Sequence, residues 1–331
     1  MPLVNFKDVL DDAYRQKYAV GSFNVINMEF LEAIIEAAEG KRSPVILSIA
    51  EVHFKYVTLE HITPAIKYVA HRASVPVVLH LDHGESFEAI MRALRAGFTS
   101  IMFDGSRLPF EQNLATTSEV VKMCRAVGVT VEAELGHVGG AEAQAIGGDR
   151  VREELFTRVD EAVEFVRRTG VDALAVAVGT AHGLYRGKPQ LDFERLDKLN
   201  RALKIPLVLH GGTGLSIEDF RTAISLGVAK INFYTGMAVG ACEAARQHLE
   251  KDRQCLDFPG VLREAKEAVR RIVEEQMEIF MSANVCARQN ALCPICSGCG
   301  IVKPTTPLPQ EDLVQRITQA TLEALRKLQK L

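Results

Sequence analysis

No apolar run in the 331-residue sequence comes near the ~20 residues that a helix needs to cross a bilayer. The longest, such as Val75-Pro-Val-Val-Leu79 and Ala173-Leu-Ala-Val-Ala-Val178, stop far short, which excludes a membrane-spanning role. Charge of one sign is also missing. Lys plus Arg number 39 and Asp plus Glu 42, a net charge of −3, so there is no basic field for nucleic acid or anionic lipid. Any phosphate must be held locally. The first residues, Met-Pro-Leu-Val-Asn-Phe-Lys-Asp-Val-Leu-Asp-Asp, lack the apolar stretch after basic residues that marks a secretory signal, so a cytoplasmic protein is expected. The 47% hydrophobic content, with 24 Gly and 12 Pro, excludes disorder and collagen-like repeats.

Seven cysteines is an odd number, and in a reducing compartment it does not suggest a disulfide framework. Cys124, Cys242 and Cys255 read as scattered packing residues. Cys286, Cys293, Cys296 and Cys299 crowd together near the C-terminus. Four thiolates at that spacing are within reach of one ion, a candidate second metal site for structural zinc or an iron–sulfur cluster.

Short β-branched or apolar runs recur along the chain, each followed by a stretch of helical period. Strands are expected at about 19–24, 44–49, 76–82, 99–103, 129–135, 172–178, 206–210 and 228–233. Between them lie segments such as Phe30-Leu-Glu-Ala-Ile-Ile-Glu-Ala-Ala38, with apolar residues at the spacing of one helix face. Eight βα units predict a (β/α)8 TIM barrel. A doubly wound open sheet is the rival, but no GxGxxG follows the first strand. Residues 136–157 form a Gly-rich connection longer than ordinary βα loops, which marks a lid or binding loop. A helical stretch near 260–282, the cysteine segment, a Pro-rich link and a final helix from about 311 follow the eighth unit. The expected division is a barrel over 1–282, and a C-terminal extension over 283–331.

Active sites of such barrels form at the carboxyl ends of the strands, so polar residues ending apolar runs are the first candidates. Three histidines qualify: His83 in Leu79-His-Leu-Asp-His-Gly84, His182 in Gly179-Thr-Ala-His-Gly183 and His210 in Val208-Leu-His-Gly-Gly212. Three imidazoles with one open position make a catalytic zinc site, although only the barrel brings these three together. Asp82 precedes His83, and strict alternation would aim the two to opposite faces unless the chain turns there, as Gly84 suggests. Glu132 and Glu134 share a face of the fifth strand. Glu134, nearer its end, is placed to reach a metal, whereas Glu132 reads as a polar group satisfied inside the barrel. Glu142 lies on the long loop. His210-Gly-Gly-Thr-Gly214 and Lys230-Ile-Asn-Phe-Tyr-Thr-Gly236 each precede a helix, and loops after strands seven and eight are the recurrent phosphate site of this fold.

These residues carry a resemblance to the zinc-dependent class II fructose-bisphosphate and tagatose-bisphosphate aldolases. It runs from Val20-Gly-Ser-Phe-Asn-Val25 to roughly residue 280 and includes Leu81-Asp-His-Gly84, Phe98-Thr-Ser-Ile-Met-Phe-Asp-Gly-Ser106, Val131-Glu-Ala-Glu-Leu-Gly136, Gly139-Gly140, Gly179-Thr-Ala-His-Gly183, His210-Gly-Gly-Thr-Gly214 and Lys230-Ile-Asn232. The resemblance implies a carbon–carbon lyase that releases dihydroxyacetone phosphate from a ketose 1-phosphate or ketose 1,6-bisphosphate. It implies Zn2+ on His83, His182 and His210, with Glu134 as the alternate ligand. Asp82 is implied to exchange a proton with the C4 hydroxyl and Glu142 to act on the donor carbon. Asn24, Gly183, Gly211, Thr213, Asn232 and Thr235 are implied to contact the substrate. A homodimer or homotetramer is implied as well.

Departures from the family pattern cluster at the aldehyde end. Tyr234 and Gly236 replace the usual Asn or Asp and acid after the eighth strand, Ala50 followed by Glu51-Val52-His53 replaces serine and small residues after the second, and Asp257-Phe-Pro-Gly260 lacks the usual arginine. The donor half is thus expected to be retained and the aldehyde half to differ, with 6-deoxy-6-sulfofructose 1-phosphate as one alternative substrate. His53 and Lys55 are candidate sources of positive charge there. A metal hydrolase barrel would carry His-x-His after the first strand, where this chain has Ser22-Phe-Asn24. A non-catalytic sugar-phosphate sensor or scaffold would be marked by a lost ligand or acid, but Asp82, His83, Glu142, His182 and His210 are all present.

Overall fold

The computed structural model describes residues 3–138, 153–183, 189–251 and 256–288. Eight parallel strands close into a barrel in sequence order, confirming the (β/α)8 expectation. They are β1 (Val20–Asn24), β2 (Val45–Ala50), β3 (Val77–Gly84), β4 (Ser100–Phe103), β5 (Thr130–Leu135), β6 (Ala173–Val176), β7 (Leu207–Leu209) and β8 (Val228–Phe233). The helices are α1 (Phe6–Gln16), α2 (Met28–Lys41), α3 (Leu59–Arg72), α4 (Phe87–Ala96), α5 (Phe110–Ala126), α6 (Val159–Thr169), α7 (Phe193–Leu203), α8 (Ile217–Ser225), α9 (Thr235–Lys251), α10 (Phe258–Ile279) and the single turn α11 (Val285–Arg288). None among the described residues is long and apolar enough to cross a membrane.

Local chemistry sets the helix ends. The Asn27 side chain accepts from the Phe30 amide to start α2, and Ser216 and Asp219 form a reciprocal capping box on α8. Alternation along the strands then divides the interior. On β3, Leu79 and Leu81 face the helices and His80 and Asp82 the barrel; on β5, Val131, Ala133 and Leu135 face out and Glu132 and Glu134 in. One apolar core fills the space between sheet and helices. A second lies across the opposite end of the barrel, where Phe6, Val9, Leu10 and Ala13 of α1 pack on Val20, Ile46, Val78, Met102 and Val208. Helix α1, which precedes the first strand, was not singled out from the sequence, although Phe6, Val9, Leu10 and Ala13 recur at the spacing of one helix face.

The sheet interior is polar in its middle layer. Lys230, fully buried, donates to Glu132 (2.6 Å) and lies 3.2 Å from His80 Nε2, while His80 Nδ1 meets Ser100 Oγ at 2.8 Å. After β8, α10 packs along α2 and α9, matching the helical stretch expected near 260–282. The Asn284 and Cys286 amides donate to Lys41 and Arg42 at the end of α2. Cys286 is half-buried with a free thiol; Cys293, Cys296, Cys299 and the final helix lie outside the described residues. Cys124 is buried as a packing residue should be, but Cys242 is exposed on α9 and so does not pack a core.

Candidate active site

A kink in β3 brings Asp82 and His83 to the same place. The β3–β4 register shifts between Leu81 and Gly84, and His83 takes a left-handed backbone (φ 43°), so its imidazole swings to the barrel mouth instead of the outer face. Its Nε2 lies 4.0 Å from Asp82 Oδ1. The turn anticipated from Gly84 is thus made one residue earlier.

His182 follows β6 and His210 follows β7. The three rings meet edge to face, with centroids 5.0 Å (His83–His182), 4.6 Å (His83–His210) and 5.8 Å (His182–His210) apart. One ring nitrogen from each lies within 4.8 Å of the others, and His83, Asp104 and Glu134 form an overlapping group. Two of the imidazoles are held from behind. His83 Nδ1 bonds to Asp104 Oδ2 (2.7 Å) and His210 Nε2 to Glu132 Oε1 (3.0 Å). Carboxylates can only accept from these nitrogens, which leaves His83 Nε2 and His210 Nδ1 as lone-pair donors. Those two atoms, and Glu134 Oε2, are buried and make no hydrogen bond among the described residues. Buried polar atoms rarely go unpaired, and two such imidazole nitrogens within a group of three histidines fit a cation bound there, with Glu134 beside His83.

The electrostatics agree. Burial, then the charges of His83 and His210, push His182 down to about 3, and burial and His83 lower His210, so both have lone pairs to offer. At His83 burial opposes the charge, but Asp82, the bond to Asp104 and Glu134 outweigh it and raise the group to about 10. The surroundings therefore hold positive charge at this point: without an ion, a proton sits on His83 Nε2, and a bound cation would take that proton's place. Burial and the neighbouring Asp104 push Glu134 up to about 8; its Oε1 accepts from the Val138 amide (3.0 Å). Asp82 is buried but held well below the usual carboxylate range by His83, Lys230 and His210. Both its oxygens are engaged, by Asn24 Nδ2 (3.0 Å) and Asn232 Nδ2 (2.8 Å).

All of this opens into a cavity of about 470 Å³ at the carboxyl end of the barrel. Gly183, Gly211, Gly212, Thr213, Asn232 and Thr235 line it with Asn24, Asp82, His83 and His182. Gly211 must be glycine, since at φ 69° a Cβ would run into the Ala181 carbonyl. Thr213 Oγ1 accepts from the Gly236 amide (3.3 Å), joining the β7 loop to the start of α9.

Of the residues expected from sequence, His83, His182, His210, Glu134, Asp82, Asn24, Gly183, Gly211, Thr213, Asn232 and Thr235 converge here; Glu142 and Gly139-Gly140 lie outside the described residues. Asn24 and Asn232, expected as substrate contacts, hold Asp82. Glu132 is satisfied inside the barrel as expected, and the groups paired with it are Lys230 and His210. Asp104 was not picked out, although it ends the apolar run of β4 and meets the same criterion as the histidines. His137, which bonds to Ser106 Oγ (3.0 Å) at the cavity wall, carried no such signal. Burial lowers the proton affinity of His53, which weighs against it as a source of positive charge, and the exposed Lys55 ammonium sits 4.9 Å over the Tyr56 ring in a cation–π contact.

The family model described as fructose-bisphosphate aldolase class-II matches residues 4–285. The chain belongs to the class II fructose-bisphosphate aldolase family. The fructose-bisphosphate aldolase of Geobacillus stearothermophilus is 42% identical over 291 residues, 87% of this chain and 100% of that protein, and that of Staphylococcus aureus is 40% identical over 287 residues, 86% of this chain and 99% of that protein. Among solved structures, the YdjI aldolase from Escherichia coli K12 superposes with a TM-score of 0.75 at 38% identity, covering 85% of this chain and 98% of that one. Within this class II aldolase, one departure has a local cause. A Cβ on Gly236 would stand 2.6 Å from Phe233 Cζ, so the acid usual at this position has no room beside the Phe233 ring.

Proposed function

We propose that this protein is a zinc-dependent aldolase that reversibly cleaves a ketose 1-phosphate or ketose 1,6-bisphosphate into dihydroxyacetone phosphate and an aldehyde. The observation that carries the reading is the meeting of three imidazoles, two of which, His83 and His210, keep a buried nitrogen unpaired while Asp104 and Glu132 hold them from behind. His83 Nε2, His210 Nδ1 and His182 would hold the ion, with Glu134 Oε2 in reach as an alternate ligand. Zinc bound there supplies Lewis-acid stabilisation of the negative charge that develops on the donor half.

The chain's own residues do the rest. Backbone N–H groups of the Gly211–Thr213 turn and the start of α9 face the donor's phosphate. In cleavage the C3–C4 bond breaks, its electron pair stays with C3 and is delocalised towards the C2 oxygen, and the C4 hydroxyl becomes the aldehyde by giving up its proton. Asp82, ionised and aimed by Asn24 and Asn232, accepts that proton. Glu142, on the long loop after β5, then delivers a proton to C3 and removes it in the reverse direction. The aldolase names of its relatives support this reaction. A homodimer or homotetramer in the cytoplasm is the accompanying proposal.

Purified protein, zinc-loaded and chelated in parallel, is mixed with dihydroxyacetone phosphate in D2O and followed by NMR. Zinc-dependent deuterium exchange at the hydroxymethyl carbon is expected; binding of the ligand without exchange would favour the sensor reading. Condensation with glyceraldehyde 3-phosphate, sulfolactaldehyde and unphosphorylated aldehydes then identifies the second substrate.

A further inference from the structure

The loop after β2 and the loop after β8 meet across the end of β1. Ala50, the last residue of β2, pairs in register with Asp82, so the turn that follows begins beside the carboxylate that receives the C4 proton. Glu51 pins this turn, accepting from the Glu85 amide (2.6 Å), the Ser86 amide (3.2 Å) and Ser86 Oγ (2.7 Å). The His53 carbonyl accepts from the Tyr56 and Val57 amides. With its backbone fixed in this way, His53 reaches Tyr234, the first residue beyond β8, with ring centroids 4.7 Å apart and planes at 56°. In the closed strand order β1 lies between β8 and β2, so the ring pair spans the strand end from which Asn24 holds Asp82.

Both rings line the same cavity as Asp82, His83 and Thr235. His53 Nδ1 is buried with no hydrogen-bond partner among the described residues, so packing on Tyr234, and no bond, sets the ring's orientation. An imidazole held only by packing is free to turn towards a ligand, and the burial that keeps it neutral suits it to a hydroxyl more than to a phosphate dianion. The two residues also stand where the chain departs from its family's usual pattern.

We propose, resting on the reading of the site given above, that His53 and Tyr234 are the specificity-determining residues for the aldehyde half. The Tyr234 ring packs against the C–H faces of the carbons beyond C4, and the His53 imidazole bonds to a hydroxyl on them. The acceptor is thus a hydroxyaldehyde long enough to reach the ring pair.

The test uses zinc-loaded full-length protein, dihydroxyacetone phosphate and a series of two-, three- and four-carbon hydroxyaldehydes (glycolaldehyde, glyceraldehyde and erythrose). Condensation kcat/KM is divided by the deuterium-exchange rate of the donor alone, which involves no aldehyde. In the wild type this ratio is expected to rise with chain length by ~10-fold or more, the discrimination that a wall contact to an added carbon provides. His53→Ala and Tyr234→Ala are expected to flatten the rise, and His53→Asn, which keeps a hydrogen-bonding side chain, to restore part of it. A wild-type ratio that does not depend on length, or variants that keep the wild-type profile while still exchanging deuterium, would overturn the inference alone. No exchange in the wild type would overturn the reading of the site, and this inference with it.

Discussion

His83 sits in a backbone region that costs a non-glycine residue ~1–3 kcal/mol, and the return is an imidazole beside Asp82 with its Nδ1 against Asp104. What each carboxylate of the site does follows from what it touches. Asp104 and Glu132 each bond one ring nitrogen of His83 and His210, and in the proposed metal site they fix the tautomer that turns the other nitrogen to the ion. Asp104→Ala and Glu132→Gln are therefore expected to weaken zinc binding ~10–100-fold, read by competition with a chromophoric chelator. Asp82 touches Asn24 and Asn232, and makes no bond to a ligand ring. Asp82→Asn should keep its zinc affinity and lose ~10²–10⁴-fold in the rate of ketose cleavage, the scale of a lost general acid or base. Equal loss of zinc in this variant would make Asp82 a structural member of the metal site.

Strands are the elements that carry this chemistry, and strand alternation made most of it legible in the sequence. His80 and Asp82, Glu132 and Glu134, Lys230 and Asn232 each lie two apart, and all face the barrel interior. The strand bounds, the three histidines and the Gly-rich turns were readable because they end apolar runs. Asp104 obeyed the same rule, but a lone acid before Gly-Ser looks like a turn. The pairing of Glu132 with His210 and Lys230 was not readable, since it joins residues 78 and 98 positions apart that only closure of the barrel brings together. That pairing predicts the behaviour of Lys230. Removing its ammonium leaves Glu132 buried beside neutral groups, so Lys230→Met is expected to destabilise the fold by ~3–5 kcal/mol in urea melts. Adding Glu132→Gln should recover part of the loss, and losses that merely add would show that the two residues are not coupled.

For the molecule as a whole, the buried layer between the α1 plug and the catalytic mouth ties stability to pH. Phe6 of α1 stacks on His80 with centroids 5.2 Å apart and planes at 3°, sealing the layer from below. Burial, then the charge of Lys230, pushes His80 down to about 3 in the folded protein, against 6.5 for the free group. Between those values the unfolded chain binds a proton on His80 that the folded chain does not. Stability therefore rises with pH through this window and falls as the solution is acidified from pH 6.5 towards 3, by ~1.4 kcal/mol per pH unit for one proton. Glu132, held near 2 because Lys230 and His210 outweigh its burial, works in the same direction only below its free value of 4.5. His80 is thus separable from it between pH 6.5 and 5. Urea melts of chelated wild type and His80→Gln at pH 7.5, 6 and 5 test this, with His182 and His210 common to both proteins. The wild type is expected to lose the greater stability over this range, with the difference approaching one proton's slope. Parallel curves would mean that His80 takes up its proton without unfolding, and that the layer is open to water.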